Sequence, residues 1–299
     1  MQRQLPPTLT SGERQRRALG GYARIAIAAS LWGTWSLFFR RAERIQRIAP
    51  ALEAFIVFAV ILIAVAPGAW RDRPAVRRTG RAWLAIAVLG VGDAINALLF
   101  FWAMQRTSLA IAVLSHYLAP VLIATAAPFV LRERLRAGTA LALGVALAGL
   151  VLLLEPWHAA TQGAVGGALL GAGSAVFYAA NILITKRIQH LFSPREILAW
   201  HMPVALAVLA LAMPPGGFAI GLAPLLLVAA AALLVGALAG VLFLSGLVRV
   251  DASRAAVLTL LEPTVAVFIG ALVWHESLGL PQLLGAAFVL GGAATVMRR

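Results

Sequence analysis

Residues Leu118–Gly149 read LAPVLIATAAPFVLRERLRAGTALALGVALAG, and a related pattern returns 143 positions later, where Leu261–Gly292 read LEPTVAVFIGALVWHESLGLPQLLGAAFVLGG. Each copy has an apolar run with an early proline, a polar break with Glu-x-Leu, and a second apolar run that contains glycine. A proline and a glutamate at one shared offset are not expected from apolar composition alone. The pattern indicates an internal duplication, which decides how the rest of the chain is divided.

The composition is that of an integral membrane protein. Of the 299 residues, 62% are hydrophobic and 12% are charged, whereas a soluble domain has about 45–50% apolar and about 25% charged residues. The net charge of +14 comes almost entirely from arginine, since Lys186 is the only lysine. These arginines lie between apolar runs, which favours orienting loop charges over a nucleic-acid partner. The absence of cysteine excludes disulfides, thiolate metal sites and cysteine nucleophiles.

Ten apolar runs have about the 20-residue length that a membrane-spanning helix needs. They are 22–40, 49–70, 82–105, 108–131, 137–154, 164–186, 196–213, 222–247, 254–274 and 279–297. The run at 196–213 is the weakest, because it carries His201 and Pro203. Residues 1–21 are predicted to form a polar cytoplasmic arm. The predicted fold class is therefore all-α integral membrane, with ten transmembrane helices.

The distribution of basic residues and the duplication together predict the topology. With both termini in the cytoplasm, 20 of the 25 Lys and Arg residues fall on the cytoplasmic side, as the positive-inside rule requires. The duplication divides the helices into two repeats of five, 22–154 and 164–297. Because five is odd, the second repeat enters the membrane inverted. Inverted repeats around a midplane site are typical of alternating-access transporters.

The repeated segments also resemble a known family. Leu261–Pro263, followed by Glu276–Leu278, is similar to the second half of an EamA-type protein of the drug/metabolite transporter superfamily, and Leu118–Leu135 is similar to its first half. Ser30–Gly33 resembles the opening of that family. The resemblance implies ten helices, two inverted halves and export of small metabolites or toxic compounds. His116–Pro120 resembles the fourth helix of bacterial aromatic amino-acid exporters, which implies that substrate class.

The candidate site residues are polar or aromatic groups in the middle of predicted helices, where a charged group costs about 2.5–3.5 kcal/mol on insertion scales. The substrate-binding candidates are Trp32, Trp35, Asn96, His116, Tyr117, Tyr178, Asn181 and Thr259. Asp93 and Glu262 are the candidate coupling carboxylates. Each has a structural alternative: Asp93 with Asn96 as a brace between helices, and Glu262 as a partner for backbone groups freed by Pro263.

These groups offer aromatic faces, acceptors for an ammonium and donors for a carboxylate, which together suit an aromatic zwitterion. The expected function is export of small amphipathic metabolites across the bacterial inner membrane, aromatic amino acids foremost, with lipophilic drugs or organic cations as the alternative. No Walker A, His-Glu-x-x-His or Gly-x-Ser-x-Gly motif is present, so an enzyme is not expected. An intramembrane hydrolase that uses Asp93 or Glu262 is the alternative of another class. The expected partners are a small-molecule substrate and the bilayer, with no cofactor and no metal.

The topology is testable by cysteine labelling, because the chain has no cysteine of its own. The loops Arg71–Arg81 and Arg132–Arg136 are expected in the cytoplasm. A membrane-impermeant maleimide should therefore label Val76→Cys in permeabilised cells but not in intact cells. Ala219→Cys, in a predicted outer segment, is the matched control and should be labelled in both. Labelling of residue 76 from outside intact cells would reverse the predicted orientation.

Overall fold

The computed structural model describes residues 10–72, 78–158 and 163–298, and within these ranges the chain is all-helical, with no β-strand. The helices are α1 (Ser11–Trp32), α2 (Ser36–Ile45), α3 (Pro50–Arg71), α4 (Gly80–Arg106), α5 (Leu109–His116), α6 (Ala119–Val130), α7 (Ala137–Leu154), α8 (Ala164–Ile188), α9 (Pro194–Trp200), α10 (Met202–Leu211), α11 (Leu222–Ala231), α12 (Leu238–Leu247), α13 (Ala252–Thr259), α14 (Leu261–Trp274) and α15 (Leu280–Arg298). A π-helical turn, Ala232–Ala237, joins α11 to α12, and a 3-10 turn, Pro156–His158, follows α7.

Nine segments of the described chain are long and apolar enough to span a bilayer. They are Pro50–Arg71, Gly80–Arg106, Leu109–Val130, Ala137–His158, Ala164–Ile188, Pro194–Leu211, Leu222–Leu247, Ala252–Trp274 and Leu280–Arg298. They agree with the second to tenth predicted runs, so the multi-pass all-α class is confirmed, whereas the count of ten is not. The missing segment is 22–40, which is not one α-helix because tighter bonds to the third preceding residue, Thr34 N–H to Leu31 and Trp35 N–H to Trp32, replace the α-helical pattern between α1 and α2.

The first helix begins earlier than the predicted span. α1 starts at Ser11, where the Thr10 side chain accepts from the Glu13 N–H and the Glu13 carboxylate accepts from the Thr10 N–H. This capping box satisfies two backbone donors that a helix start leaves free. Residues 11–21 of the predicted arm are therefore helical. Residues 1–9, and 73–77 in the predicted Arg71–Arg81 loop, lie outside the described part of the chain.

The α-helix is interrupted inside four of the predicted spans. The interruptions lie at Gly33–Trp35, Tyr117–Leu118, His201 and Leu260. Three of them come just before Pro120, Pro203 and Pro263. A proline has no N–H and cannot bond the carbonyl four residues earlier, so the helix is weakened at that turn. The second and fourth interruptions occupy equivalent positions of the duplicated sequence.

Glycines allow the last helices of the two predicted repeats to cross with their backbones in contact. A Cβ on Gly285 of α15 would lie 2.5 Å from the Gly149 carbonyl oxygen of α7, and a Cβ on Gly149 would lie 2.6 Å from the Gly285 carbonyl oxygen. Contacts this short leave no room for any side chain. Small residues at helix crossings are a general means of close packing in membranes, and here they join α7 to α15.

A buried ionic contact joins the loop before α7 to the second half of the chain. The Lys186 Nζ on α8 donates to the carbonyls of Leu247, at 2.8 Å, and Val250, at 2.6 Å, and lies 3.6 Å from Glu133. Glu133 also accepts from the Ala252 N–H at 2.7 Å. Burial raises the pKa of the Glu133 carboxyl, while the Ala252 N–H and the Lys186 ammonium oppose that rise. This contact, named here the Glu133 latch, connects the two halves of the chain.

The equivalent glutamate of the second copy makes a different contact. Glu276 pairs with Arg40 at 2.5 Å, and both side chains are about half exposed. All eight residues of α13, 252–259, are buried, whereas Ala112 is the buried residue among the equivalent residues of α5, 109–116. Equivalent segments of the two copies are therefore packed differently.

The α7–α15 crossing gives a stability prediction with a matched control in the same helix. Gly285→Val should lower the melting temperature clearly, because a side chain there meets backbone that cannot move aside, and overpacking costs about 1–3 kcal/mol or more. Gly291→Val introduces the same residue where no atom lies within 4 Å and should change the melting temperature little. Thermal unfolding of both variants in detergent measures the difference. Equal melting temperatures would contradict the crossing.

Candidate functional site

The polar centre of the molecule is a hydrogen-bonded chain that connects α4, α5 and α8. The buried Ser174 hydroxyl on α8 lies 2.6 Å from His116 Nδ1 on α5 and donates to Asn96 Oδ1 on α4 at 2.9 Å. A hydroxyl has one proton to donate, so the bond from His116 requires the proton on Nδ1. The neutral imidazole then presents Nε2 as a hydrogen-bond acceptor.

Aromatic rings surround the same imidazole. Phe100 lies 4.7 Å from the His116 ring, Tyr178 lies 5.4 Å away and Tyr117 lies 5.7 Å away, centroid to centroid. The two tyrosines meet the imidazole edge to face, an arrangement that aromatic pairs favour electrostatically. The structure thus brings together four of the predicted substrate-binding residues, Asn96, His116, Tyr117 and Tyr178, in what we call the His116 cluster.

A carboxyl from the second half of the chain faces this cluster. Glu262, in the first turn of α14, lies near the side chains of Tyr117 and Tyr178. The interruption in the first span packs against the same turn, because a Cβ on Gly33 would come within 2.6 Å of the Glu262 carbonyl oxygen. Glu262 and the His116 cluster therefore lie beside the break after α1 and the starts of α6 and α14.

Two predicted substrate residues are engaged within the helix packing. The Asn181 side chain on α8 lies against α4, with Nδ2 3.5 Å from the Leu89 carbonyl, and its Oδ1 would lie 2.5 Å from a Cβ on Gly92. The Thr259 hydroxyl is buried and donates to the Ala256 carbonyl of its own helix at 2.8 Å. In this conformation both polar groups have backbone neighbours, and their substrate role stays a prediction.

The two candidate tryptophans flank the interruption between α1 and α2. Trp32 lies 5.1 Å from Phe243 of α12, and Trp35 stacks on Phe39 at 4.8 Å, centroid to centroid. Both indoles are partly exposed, so each retains aromatic surface that a ligand can contact. Their role in substrate binding stays a prediction.

Asp93 forms a contact that the sequence did not indicate. Its Oδ2 lies 3.2 Å from His201 Nε2, and the other imidazole nitrogen, Nδ1, lies 2.6 Å from the Ile197 carbonyl. The His201 side chain is 9% exposed and that of Asp93 is 27% exposed. The available signal was a histidine beside Pro203 in the weakest predicted span. Ser174, which connects His116 to Asn96, was likewise visible only as one member of a polar stripe on α8.

Within the described residues, no three His, Asp or Glu side chains converge as metal ligands. A cavity of about 650 Å³ lies away from the polar centre and includes Arg16, Arg17 and Arg249 in its wall. Burial and the neighbouring Arg24 and Arg17 lower the pKa of Arg249. None of the predicted site residues lines this cavity, so its size does not identify it as the substrate site.

Comparison with known proteins assigns a family to this architecture. A model of the EamA-like transporter family matches residues 19–155 and again residues 165–298. An uncharacterized transporter from Archaeoglobus fulgidus is 30% identical, over 93% of this chain and 96% of its own. The uncharacterized transporter YwfM from Bacillus subtilis is 27% identical, over 91% and 92%. A crystal structure at 22% identity superposes with a TM-score of 0.79, covering 95% of this chain and 98% of its own, and so shares the fold.

The hydrogen-bonded chain at Ser174 gives a second stability prediction. Ser174→Ala should destabilise the protein by about 1–3 kcal/mol, because it leaves the buried His116 Nδ1 and the Asn96 carbonyl without their partner. Ser36→Ala is the matched control, since the Ser36 hydroxyl is buried without a hydrogen bond among the described residues. Thermal unfolding in detergent compares the two. A melting temperature for Ser174→Ala no lower than that for Ser36→Ala would contradict the bonding described.

Proposed function

The chain belongs to the EamA-like transporter family, and from this premise we propose that it is a secondary transporter that exports small amphipathic metabolites, aromatic amino acids foremost, across the bacterial inner membrane. Both termini would lie in the cytoplasm, and the two predicted five-helix repeats, 22–154 and 164–297, would be inverted relative to each other. The family and the multi-pass helical fold support transport. The substrate class rests on the chemistry of the site.

The observation that carries the substrate proposal is the His116 cluster together with Glu262. Tyr178, Tyr117 and Phe100 offer aromatic faces around one imidazole, and stacking contributes about 0.5–1.5 kcal/mol per ring beyond burial. Glu262 faces the cluster and is a partner for a substrate ammonium. A planar ring next to an ammonium is the pattern of an aromatic amino acid.

The different packing of the two copies supports alternating access. Inverted-repeat transporters open one end of the bundle while equivalent contacts close the other. The Glu133 latch is buried, whereas the Arg40–Glu276 contact is exposed. With the termini in the cytoplasm, the latch lies at the cytoplasmic end. We therefore assign this conformation to the outward-facing half of the transport cycle.

Export of lipophilic drugs or organic cations is the second candidate, and the same carboxyl favours it. A cation beside Glu262 would also meet the faces of Tyr117 and Tyr178, and aromatic faces attract cations by about 0.5–2 kcal/mol. The two candidates differ in what they require of the rest of the ligand. An amino acid needs a donor for its carboxylate, and a lipophilic cation does not.

Transport competition in proteoliposomes tests the aromatic site. Tyr178→Ala should weaken competition by phenylalanine several-fold to roughly tenfold, the loss of one stacked ring, and competition by alanine much less. Tyr178→Phe is the matched control, because it keeps the ring and removes only the hydroxyl. Phenylalanine and alanine should each compete for transport by Tyr178→Phe nearly as strongly as for transport by the unaltered protein.

Two results would redirect the proposal. An equal loss of phenylalanine and alanine competition in Tyr178→Ala would remove the aromatic pocket and leave the transporter family unaffected. Saturable transport of a lipophilic cation that no amino acid inhibits would favour the second candidate. Asn181→Ala extends the comparison. If the Asn181 amide contacts the substrate, phenylalanine and alanine should both compete more weakly in this variant.

A further inference from the structure

The number of protons in the contact between His201 and Asp93 follows from its geometry. The Ile197 carbonyl only accepts hydrogen bonds, so His201 Nδ1, 2.6 Å away, must carry a hydrogen. A neutral imidazole protonated on Nδ1 has a lone pair on Nε2. That lone pair would face the Asp93 carboxylate at 3.2 Å, and two acceptors repel at this distance. The contact therefore needs one further proton between Nε2 and Oδ2.

We propose that Asp93 and His201 together form a proton-binding site that couples substrate export to proton entry. The proposal rests on the proposed transport function and specifies the coupling ion and the residues that hold it. The site spans the two halves of the chain, since Asp93 lies on α4 and His201 lies at the break between α9 and α10. Asp93 is one helical turn from Asn96, so the proton site adjoins the hydrogen-bonded chain to His116.

Loss of the proton changes the force between two helices. With the proton bound, an imidazolium and a carboxylate attract across the α4–α10 contact. Without it, the pair has a net charge of −1 and opposed lone pairs, and separation of the helices relieves the repulsion. The helices meet closely here, because a Cβ on Gly90 of α4 would lie 2.4 Å from the His201 carbonyl oxygen. The helix break at His201 is a place where α9 and α10 can change direction.

The direction of coupling follows from the conformation. The pair is formed while the Glu133 latch is closed, so the proton favours the conformation that we assign as outward-facing. A proton taken up from outside would stay bound while the latch end opens. It would leave to the cytoplasm from the inward-facing conformation, where its loss separates Asp93 from His201 and allows substrate to bind. One proton enters for each substrate cycle, which is antiport.

Other titratable groups near this contact are engaged elsewhere or lie at helix ends. On α4, α9 and the helices packed against them, α3, α5, α8 and α12, they are Glu53, Arg71, Arg81, Arg106, His116, Tyr178, Lys186, Arg187, Arg195 and Glu196. Tyr178 is the member that lies near Asp93. Lys186 is held in the Glu133 latch, Glu196 pairs with Arg78, and Arg195 lies near Asp72.

Nitrogen NMR of ¹⁵N-histidine-labelled protein reads the proton directly and needs no substrate. The chain has five histidines, and the signals missing from His201→Gln identify those of His201. In the unaltered protein at pH 7, both ring nitrogens of His201 should be protonated. Asp93→Asn removes the carboxylate that shares this proton. Nε2 would then be unprotonated at pH 7, because the asparagine amide can donate to it.

The transport arm uses proteoliposomes and labelled phenylalanine. In Asp93→Asn and in His201→Gln, accumulation of phenylalanine driven by a pH gradient should fall at least tenfold. Exchange without a gradient should be largely retained. The matched control is His158→Gln, from a second His–carboxylate contact, with Glu155 at 3.9 Å and the histidine 73% exposed. This variant should leave both the His201 spectrum and gradient-driven accumulation unchanged.

The outcomes separate the proton site from the transport proposal. A His201 Nε2 that at pH 7 in the unaltered protein neither carries a proton nor accepts a hydrogen bond overturns the proton site, even if both variants fail to fold. Full gradient-driven accumulation in Asp93→Asn overturns its coupling role. Failure of the unaltered protein to transport any tested amino acid or cation counts against the proposed function, whereas a protonated His201 in the same preparation still supports proton binding.

Discussion

Every backbone N–H and C=O group inside a bilayer must find a partner in the protein, because an unpaired group there costs several kcal/mol. This chain nevertheless interrupts its helices inside four predicted spans. Three interruptions come before a proline, and polar or ionisable side chains accompany them: His116 and Tyr117 at one, His201 at another, and Glu262 beside a third. Irregular backbone at membrane depth is tolerated where it is enclosed by protein or lines a polar path. The breaks therefore concentrate the polar groups of the membrane interior in one region.

The same constraint gives the ionic contacts between the halves specific partners. Lys186 is the only lysine of the chain, and its ammonium contacts Glu133 and the carbonyls of Leu247 and Val250, at and just beyond the end of α12. Separating this partly buried contact would leave an ammonium and a carboxylate without partners, so any conformation that opens this end must supply other partners. A transporter needs two such arrangements of similar free energy. The contrast between Glu133 and the exposed Glu276 shows that equivalent residues can occupy both kinds of environment.

The proposed substrate site and the proposed proton site occupy neighbouring parts of α4. Asn96 connects through Ser174 to His116 and its aromatic neighbours, and Asp93, one turn away, contacts His201 of the second half. A rotation or shift of α4 would alter both sets of contacts together. Coupling in this arrangement requires no long pathway, because the helix that carries a substrate residue also carries a proton residue. The link is mechanical and local, as expected of rigid helices with two packings.

The sequence by itself determined the membrane class, nine of the helical spans and the positions of two helix breaks, because apolar length and proline chemistry are local properties. It also identified the residues of the His116 cluster, since a polar group at mid-span rarely lacks a partner or a function. Only the tertiary structure decided the partners. Asp93 and His201 are separated by 108 residues, and no local periodicity relates them. The close packing of Gly33, at the interruption of the first span, against the backbone of α14 is likewise a contact that hydropathy does not encode.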